Sequence, residues 1–330
     1  MLADRILDAA AQTWPPFVLV GGLLLIGAVA AEEGLFEATG AALARARVRP
    51  LPLLFGLLAL DACVTAVLNL DTAVVFLTPV LVHAARRRGL DERPFLYGSV
   101  LMANASSTLL PGSNLTNLLV LRSVGGGRFA WQMLPAWLAS IAVTAVLLAL
   151  VLPPGRAGRP AAGLPRLRLG LGACATACAG LAVVTLRHPA VPVAALGIAA
   201  CALKRLQPRL DVRAPLLLFV AAVVLGTAAR TWTVPAPSGR WATGTLAAAA
   251  SIVVNNLPAA VLFSAQPPQH PIALLLGLDL GPNLAVTGSL SAVLWLQAAR
   301  SVEARPSVRT YSLLGALLVP PTLAVALVLS

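Results

Sequence analysis

Three carboxylates stand in apolar stretches of this chain: Asp61, Asp71 and Asp279. A charged side chain at the centre of a bilayer costs at least ~2.5–3.5 kcal/mol, so an acid kept there points to proton or cation binding. Amides and hydroxyls crowd the same neighbourhoods. The stretch VLNLDTAVVFLTP at 67–79 holds Asn69, Asp71 and Thr72, and NASSTLLPGSNLTNLLVL, from Asn104, holds Ser107, Ser113 and Asn114. In the second half SIVVNNLPAAV at 251–261 holds Asn255 and Asn256. There LDLGPNLAVTGSLSAVLWL, from Leu278, holds Asp279, Asn283, Thr287 and Ser289. Asparagine offers both a donor and an acceptor and tolerates left-handed backbone, which suits a chain turning back within the membrane. Asp71 has a second use, as the cap of a helix starting at Thr72. The chemistry implied is binding of a small polar cargo by the amides and hydroxyls, with ion or proton coupling at Asp71, Asp279 and Asp61. No Lys or Arg accompanies these groups. That weighs against a dianion, although helix N-termini can still attract one.

The elements that must position these residues are helices interrupted at bilayer depth. With Gly112 set over Gly288, Ser113 falls on Ser289 and Ser107 meets Asn283. Gly/Pro-interrupted apolar segments at matching places in two halves mark a transporter's binding site. Unpaired backbone at that depth is tolerated only in protein or beside a polar cavity. The expected fold is an all-α polytopic membrane protein with an inverted repeat, two re-entrant hairpins and two broken helices. The first repeat, 1–152, has a helix at 14–31, a hairpin at 51–85, a broken helix at 95–121 and a helix at 131–152. A cytoplasmic linker follows at 153–168. The second repeat, 169–330, has three helices, a hairpin at 241–265, a broken helix at 271–297 and a last helix at 310–329. The first half is short by two helices, and the residues around Glu37 read as a short amphipathic interfacial helix.

Composition agrees. The 330 residues are 58% hydrophobic and 11% charged, with mean hydropathy +0.87, against about 25% charged in soluble domains. The net charge of +12 is a matter of topology, not a nucleic-acid footprint. With re-entrant hairpins, eighteen of the 24 basic residues fall on one face and six on the other. The richer face is cytoplasmic by the positive-inside rule, which places both termini outside a multi-pass plasma-membrane protein. The first helix has no basic leader and reads as retained. Cys174 and Cys178 read as packing residues, and no Cys/His set completes a metal site. No nucleophile–base pair appears, so no enzyme and no cofactor is expected.

The motifs LNLDTAVVFLTPVLV, SIVVNNLPA and GLDLGPNLAVTGSLSAVLWL resemble the arsenite/antimonite efflux permeases of the ion-transporter superfamily. That superfamily also holds sodium/proton antiporters and di- and tricarboxylate carriers. The resemblance implies an elevator-type carrier at a plasma or inner membrane, often with a homodimer interface. It implies proton-coupled export of As(III) or Sb(III), as hydroxide or oxyanion, and in some members an ATPase subunit. The alternative on the same fold is a sodium/proton antiporter or an organic-anion carrier.

Overall fold

The computed structural model describes residues 2–45, 48–121, 126–158, 170–186, 188–208, 213–229, 238–264 and 267–330. Most of the expected linker lies outside these residues. So do Arg47, Arg122, Arg159, Arg166, Arg168, Arg187, Arg209 and Arg230 of the charge count. Among the described residues every regular element is helical, and strand-like pairing is limited to one isolated bridge between Leu90 and Arg156.

Helix α1 (Leu2–Glu32) begins well before the expected 14–31, because its polar first turns continue the helix. The amphipathic segment forms α2 (Leu35–Leu43) and buries Phe36, Ala38 and Ala41, packing on α4 (Leu70–Arg87). Helix α3 (Pro50–Val67) is the first arm of the first hairpin and α4 the second. Next come α5 (Arg93–Ser106), a 3-10 turn (Pro111–Ser113), α6 (Leu115–Val120) and α7 (Gly126–Val151). The second half opens with α8 (Leu171–Thr185), α9 (Ala190–Lys204) and α10 (Arg213–Ala229). Its hairpin arms are α11 (Arg240–Val254) and α12 (Asn256–Phe263). Its broken helix runs from α13 (Pro271–Leu280) through 3-10 turns at Gly281–Leu284 and Val286–Gly288 to α14 (Leu290–Ser301); α15 (Val308–Val328) closes the chain.

Among the described residues four helices are long and apolar enough to cross a membrane: Ile6–Glu32, Pro50–Val67, Arg128–Val151 and Val308–Val328. The protein is an all-α, multi-pass membrane protein. Its exposed surface carries large apolar side chains, among them Trp131, Leu150, Leu217 and Val253, as a lipid-facing surface requires.

Packing divides the helices into two groups. Helices α8, α9 and α10 gather on α1. Small residues let these backbones touch: a Cβ on Gly22 would lie 2.6 Å from the Ala194 Cα, and one on Gly197 2.6 Å from the Gly22 carbonyl. In the other group α3 packs on α5 and α11 on α13, while α7 runs along α15. The second arm of each hairpin meets the other half's broken helix, α4 on α14 and α12 on α6.

The loops collect at two ends. At one, Arg86 pairs with Glu92 and donates to the Val302 carbonyl at 2.6 Å. There Arg88 donates to Val48 O at 2.6 Å, and Asp91 N to Gly155 O at 2.8 Å. Glu33 pairs with Lys204 at 2.5 Å and accepts from the N–H groups of Leu171 and Gly172 at 3.1 and 2.7 Å, joining α1, α8 and α9. Elsewhere Arg240 donates to the Ser330 carbonyl at 3.3 Å, tying the start of α11 to the chain end.

Candidate functional site

Both hairpins turn on an asparagine that caps the second arm, by different backbones. Asn69 is extended, and its Oδ1 accepts from Thr72 N at 2.8 Å. The cap is therefore Asn69 and not Asp71, which is the second residue of α4 and half-buried. Of the two tips, the second alone has a positive φ outside the extended range, 74° at Asn255. Its Oδ1 accepts from Leu257 N at 3.3 Å and its Nδ2 donates to Thr287 O at 2.9 Å. With the cap at Asn255, the buried Asn256 opens α12 and Pro258 is its third residue. That is still within the turn whose N–H groups have no helical acceptor.

The two broken helices meet in a buried polar network. Asn114 caps α6 through Thr116 N at 3.3 Å, and its Nδ2 donates to Asp279 Oδ1 at 3.0 Å and to Ser107 Oγ at 3.2 Å. Thr116 Oγ1 donates to the same Asp279 oxygen at 2.5 Å. Asp279 Oδ2 is buried without a hydrogen-bond partner. Ser113 donates to the Ser107 and Leu110 carbonyls, closing the 3-10 turn on itself. Asn104 Nδ2 donates to Asn283 Oδ1 at 2.8 Å, and Asn283 Nδ2 donates to Leu101 O at 3.0 Å. Ser289 caps α14 through Ala292 N at 3.2 Å and pairs with Ser291 at 2.7 Å. Thr287 is exposed, with its hydroxyl on Ile252 O at 3.1 Å.

Aromatic donors from the following helices serve the carbonyls at each break. Trp137 Nε1 donates to Ser106 O at 2.9 Å, and Tyr311 Oη to Pro282 O at 3.0 Å. The residue reading missed both, along with Ser291, and it left Thr116 and Asn104 off the site. Thr116, Asn104 and Ser291 carried a signal, being polar within an apolar run; the two aromatic residues carried none. Asp61 stands apart, fully buried in α3 with neither carboxyl oxygen partnered. Thr65, four residues on and on the same helix face, is likewise buried with an unpartnered hydroxyl.

A cavity of about 600 Å³ separates the break region from the α1 group. On one side it is lined by Asn69, Gly112, Leu115, Leu118, Leu119 and Leu257. On the other stand Trp14, Pro15 and Leu19 of α1, the end of α8, His188 and the start of α9. Of the amides and hydroxyls expected to bind cargo, only Asn69 lines it. A second cavity, about 430 Å³, lies farther along α1 at Leu24, Gly27 and Ala31, facing Val75 of α4 and Arg300 of α14. Among the described residues no group of three or more His, Cys, Asp or Glu could hold a metal ion.

The profile of a family described as citrate transporters (CitMHS) matches residues 5–281. No curated protein matches the chain. The crystal structure of the YdaH transporter from Alcanivorax borkumensis is similar over 98% of this chain and 86% of that one, at 14% identity and a TM-score of 0.48. The family match overturns the resemblance to arsenite/antimonite permeases. With it go the expected As(III) or Sb(III) cargo, the arsenical-resistance role and the ATPase subunit. The physical reason is that the asparagine motifs specify how a helix is interrupted and capped in a membrane. They say nothing of what passes beside it.

Proposed function

Because this chain belongs to the citrate transporter family and is a secondary-active membrane transporter, not an enzyme, we propose that it is an organic-anion carrier driven by protons or sodium. The observation carrying this reading is the convergence of Asn69, Gly112 and Leu257 on one cavity beside α1. Two hairpins and a broken helix contribute to it. By length α3 is able to span a bilayer, but its far end meets the interior breaks, which favours re-entry.

Coupling belongs to Asp279. One of its oxygens is clasped by the first half and the other is left for a proton or cation. Asp61 is the second candidate, since an unpaired charge buried so deeply is not sustained without a proton or counter-ion. Asp71 is better placed to favour the α4 N-terminus. In this reading Asn114, Asn283, Ser113 and Ser289 hold the breaks open, and Asn69 meets the cargo.

The two halves form an inverted repeat, supported by the exchange of hairpin arms between them. The hairpins and broken helices would move as one body against α1 and α8–α10, elevator-fashion. The two cavities at different heights along α1 support this motion. The end bearing Arg86, Arg88 and Lys204 would be cytoplasmic and both termini extracytoplasmic.

In proteoliposomes the wild-type chain is expected to accumulate a labelled organic anion under an imposed pH or sodium gradient. Asp279→Asn is expected to keep anion exchange and lose gradient-driven accumulation. Undiminished accumulation in that variant removes Asp279 from coupling. Sodium-driven proton movement with no anion flux would replace the carrier by an antiporter.

A further inference from the structure

We infer that the second cavity, about 430 Å³, is a site for an acidic phospholipid, with its phosphate on Arg300 and an acyl chain along α1. Leu24, Gly27, Ala28 and Ala31 line it from α1, and their spacing of three and four residues places them in one stripe. The stripe covers about 10 Å of helix axis. Phe36 of α2, Val75 of α4 and Ala298 of α14 line it too, so the walls are apolar along that length. The polar lining side chains, Gln297, Arg300 and Ser301, all belong to the end of α14. Two residues past Arg300 the Val302 carbonyl accepts from Arg86, and two residues past Ala31 Glu33 pairs with Lys204. The mouth of the slot is therefore at the basic end of the molecule, and its apolar depth runs from there toward the bilayer interior.

A cationic mouth above an apolar slot matches the division of a phospholipid into head and chain. Arg300 is exposed, its side chain makes no hydrogen bond or ion pair among the described residues, and a guanidinium offers a phosphate two parallel donors. Of the acids ending α1, Glu32 does not line the slot and Glu33 is held by Lys204. Leu24 and Ala28 are half-buried and Ala31 is exposed, so part of the stripe is still open to a chain. A compact polycarboxylate is the poorer occupant. It would find one cation and shed water against apolar walls for the rest of its charge, whereas an acyl chain gives up no hydration on leaving the bilayer. The cytoplasmic leaflet, where the positive-inside rule places this end, also carries the acidic lipids. Helix α1 stands on one side of the slot and α4 and α14 on the other, and a Cβ on Gly27 would lie 3.2 Å from Val75 Cγ1. A lipid wedged there holds the two helix groups in the arrangement described, because a ligand stabilises the state that binds it. That consequence, unlike the site itself, rests on the sliding motion proposed above.

The test uses the full chain in nanodiscs of phosphatidylethanolamine and phosphatidylglycerol, with one lipid or the other carrying a diazirine in its acyl chain. After irradiation, peptide mapping is expected to find 24–31 and 298–301 labelled about fivefold more by phosphatidylglycerol, the preference that one basic residue supplies at an acidic membrane surface. Arg300→Gln is expected to erase that preference and Arg300→Lys to keep most of it; the position is exposed, so neither replacement disturbs packing. Ala28→Leu fills the slot and is expected to cut labelling of 24–31 by both lipids. Equal labelling by the two lipids in the wild type, or a preference that Arg300→Gln retains, overturns the inference. So does a preference abolished by inorganic phosphate or citrate at constant ionic strength, because the site is then one for a soluble anion. Anion exchange in proteoliposomes is read separately. Turnover that falls as phosphatidylglycerol rises in the wild type, but not in Arg300→Gln, supports the sliding motion. A labelling preference with turnover indifferent to the lipid keeps the site and sets that motion aside, and a wild type that exchanges no organic anion removes the carrier reading alone.

Discussion

Asn255 holds a backbone conformation, φ 74°, that side-chained residues seldom adopt and that costs about 1–3 kcal/mol. Two hydrogen bonds fix it there, one closing α12 and one reaching Thr287 O. Asn255→Ala loses both while keeping the unfavourable backbone, and is expected to lower stability by about 2–3 kcal/mol. Asn255→Gly relaxes the backbone and loses only the bonds, so thermal unfolding in detergent should rank wild type, then Gly, then Ala. An Ala variant as stable as the Gly variant would show that the tip is not strained. Both tip asparagines were legible in the sequence, because an amide in an apolar run has few other reasons to be there. Their backbones were not, since Asn69 and Asn255 both end an apolar run yet only Asn255 has a positive φ outside the extended range. Tyr311 and Trp137 were illegible for a different reason. An aromatic residue in an apolar helix declares no partner until the neighbouring helix is in place.

Two element contacts set the helix arrangement. Gly315 of α15 faces the second break so closely that a Cβ would lie 1.9 Å from Asn283 O. Gly315→Ala must push α15 from the 3-10 turn, an overpacking cost of about 1–3 kcal/mol. A lowered melting temperature and loss of transport are expected; an unaltered melting curve would mean the break yields freely. The Glu33 staple is electrostatic. Burial alone would raise its acid range, but the Lys204 ammonium and the N–H groups of Gly172 and Leu171 draw it below the ordinary value. Its contribution is therefore present at neutral pH and is lost as the pH falls through the lowered value, below the unfolded range near about 4.3. Glu33→Gln should melt lower at neutral pH and show a shallower acid-side decline. Equal decline in both would remove the staple from the acid response. Element positions were readable from hydropathy, whereas the early start of α1 and the docking of α2 on α4 were not. Those depend on packing rather than on local pattern.

For the whole molecule the orientation proposed above rests on the charge count. The loops after α4 and α14 are joined by Arg86 and Val302, and α11 is joined to the chain end by Arg240 and Ser330. In intact cells an impermeant thiol reagent is expected to label Ser330→Cys directly and Glu303→Cys only after permeabilisation. The reverse pattern would invert the topology. The proposed internal two-fold has a counterpart in the contacts. Each interrupted helix leaves a carbonyl without its intrahelical donor, and the next long helix supplies one, an indole from Trp137 in one half and a phenol from Tyr311 in the other. Dissimilar side chains thus answer the same demand at corresponding places. Aligning the halves by residue type would understate such a kinship, and in the proposed movement the long helix behind each gap would travel with it.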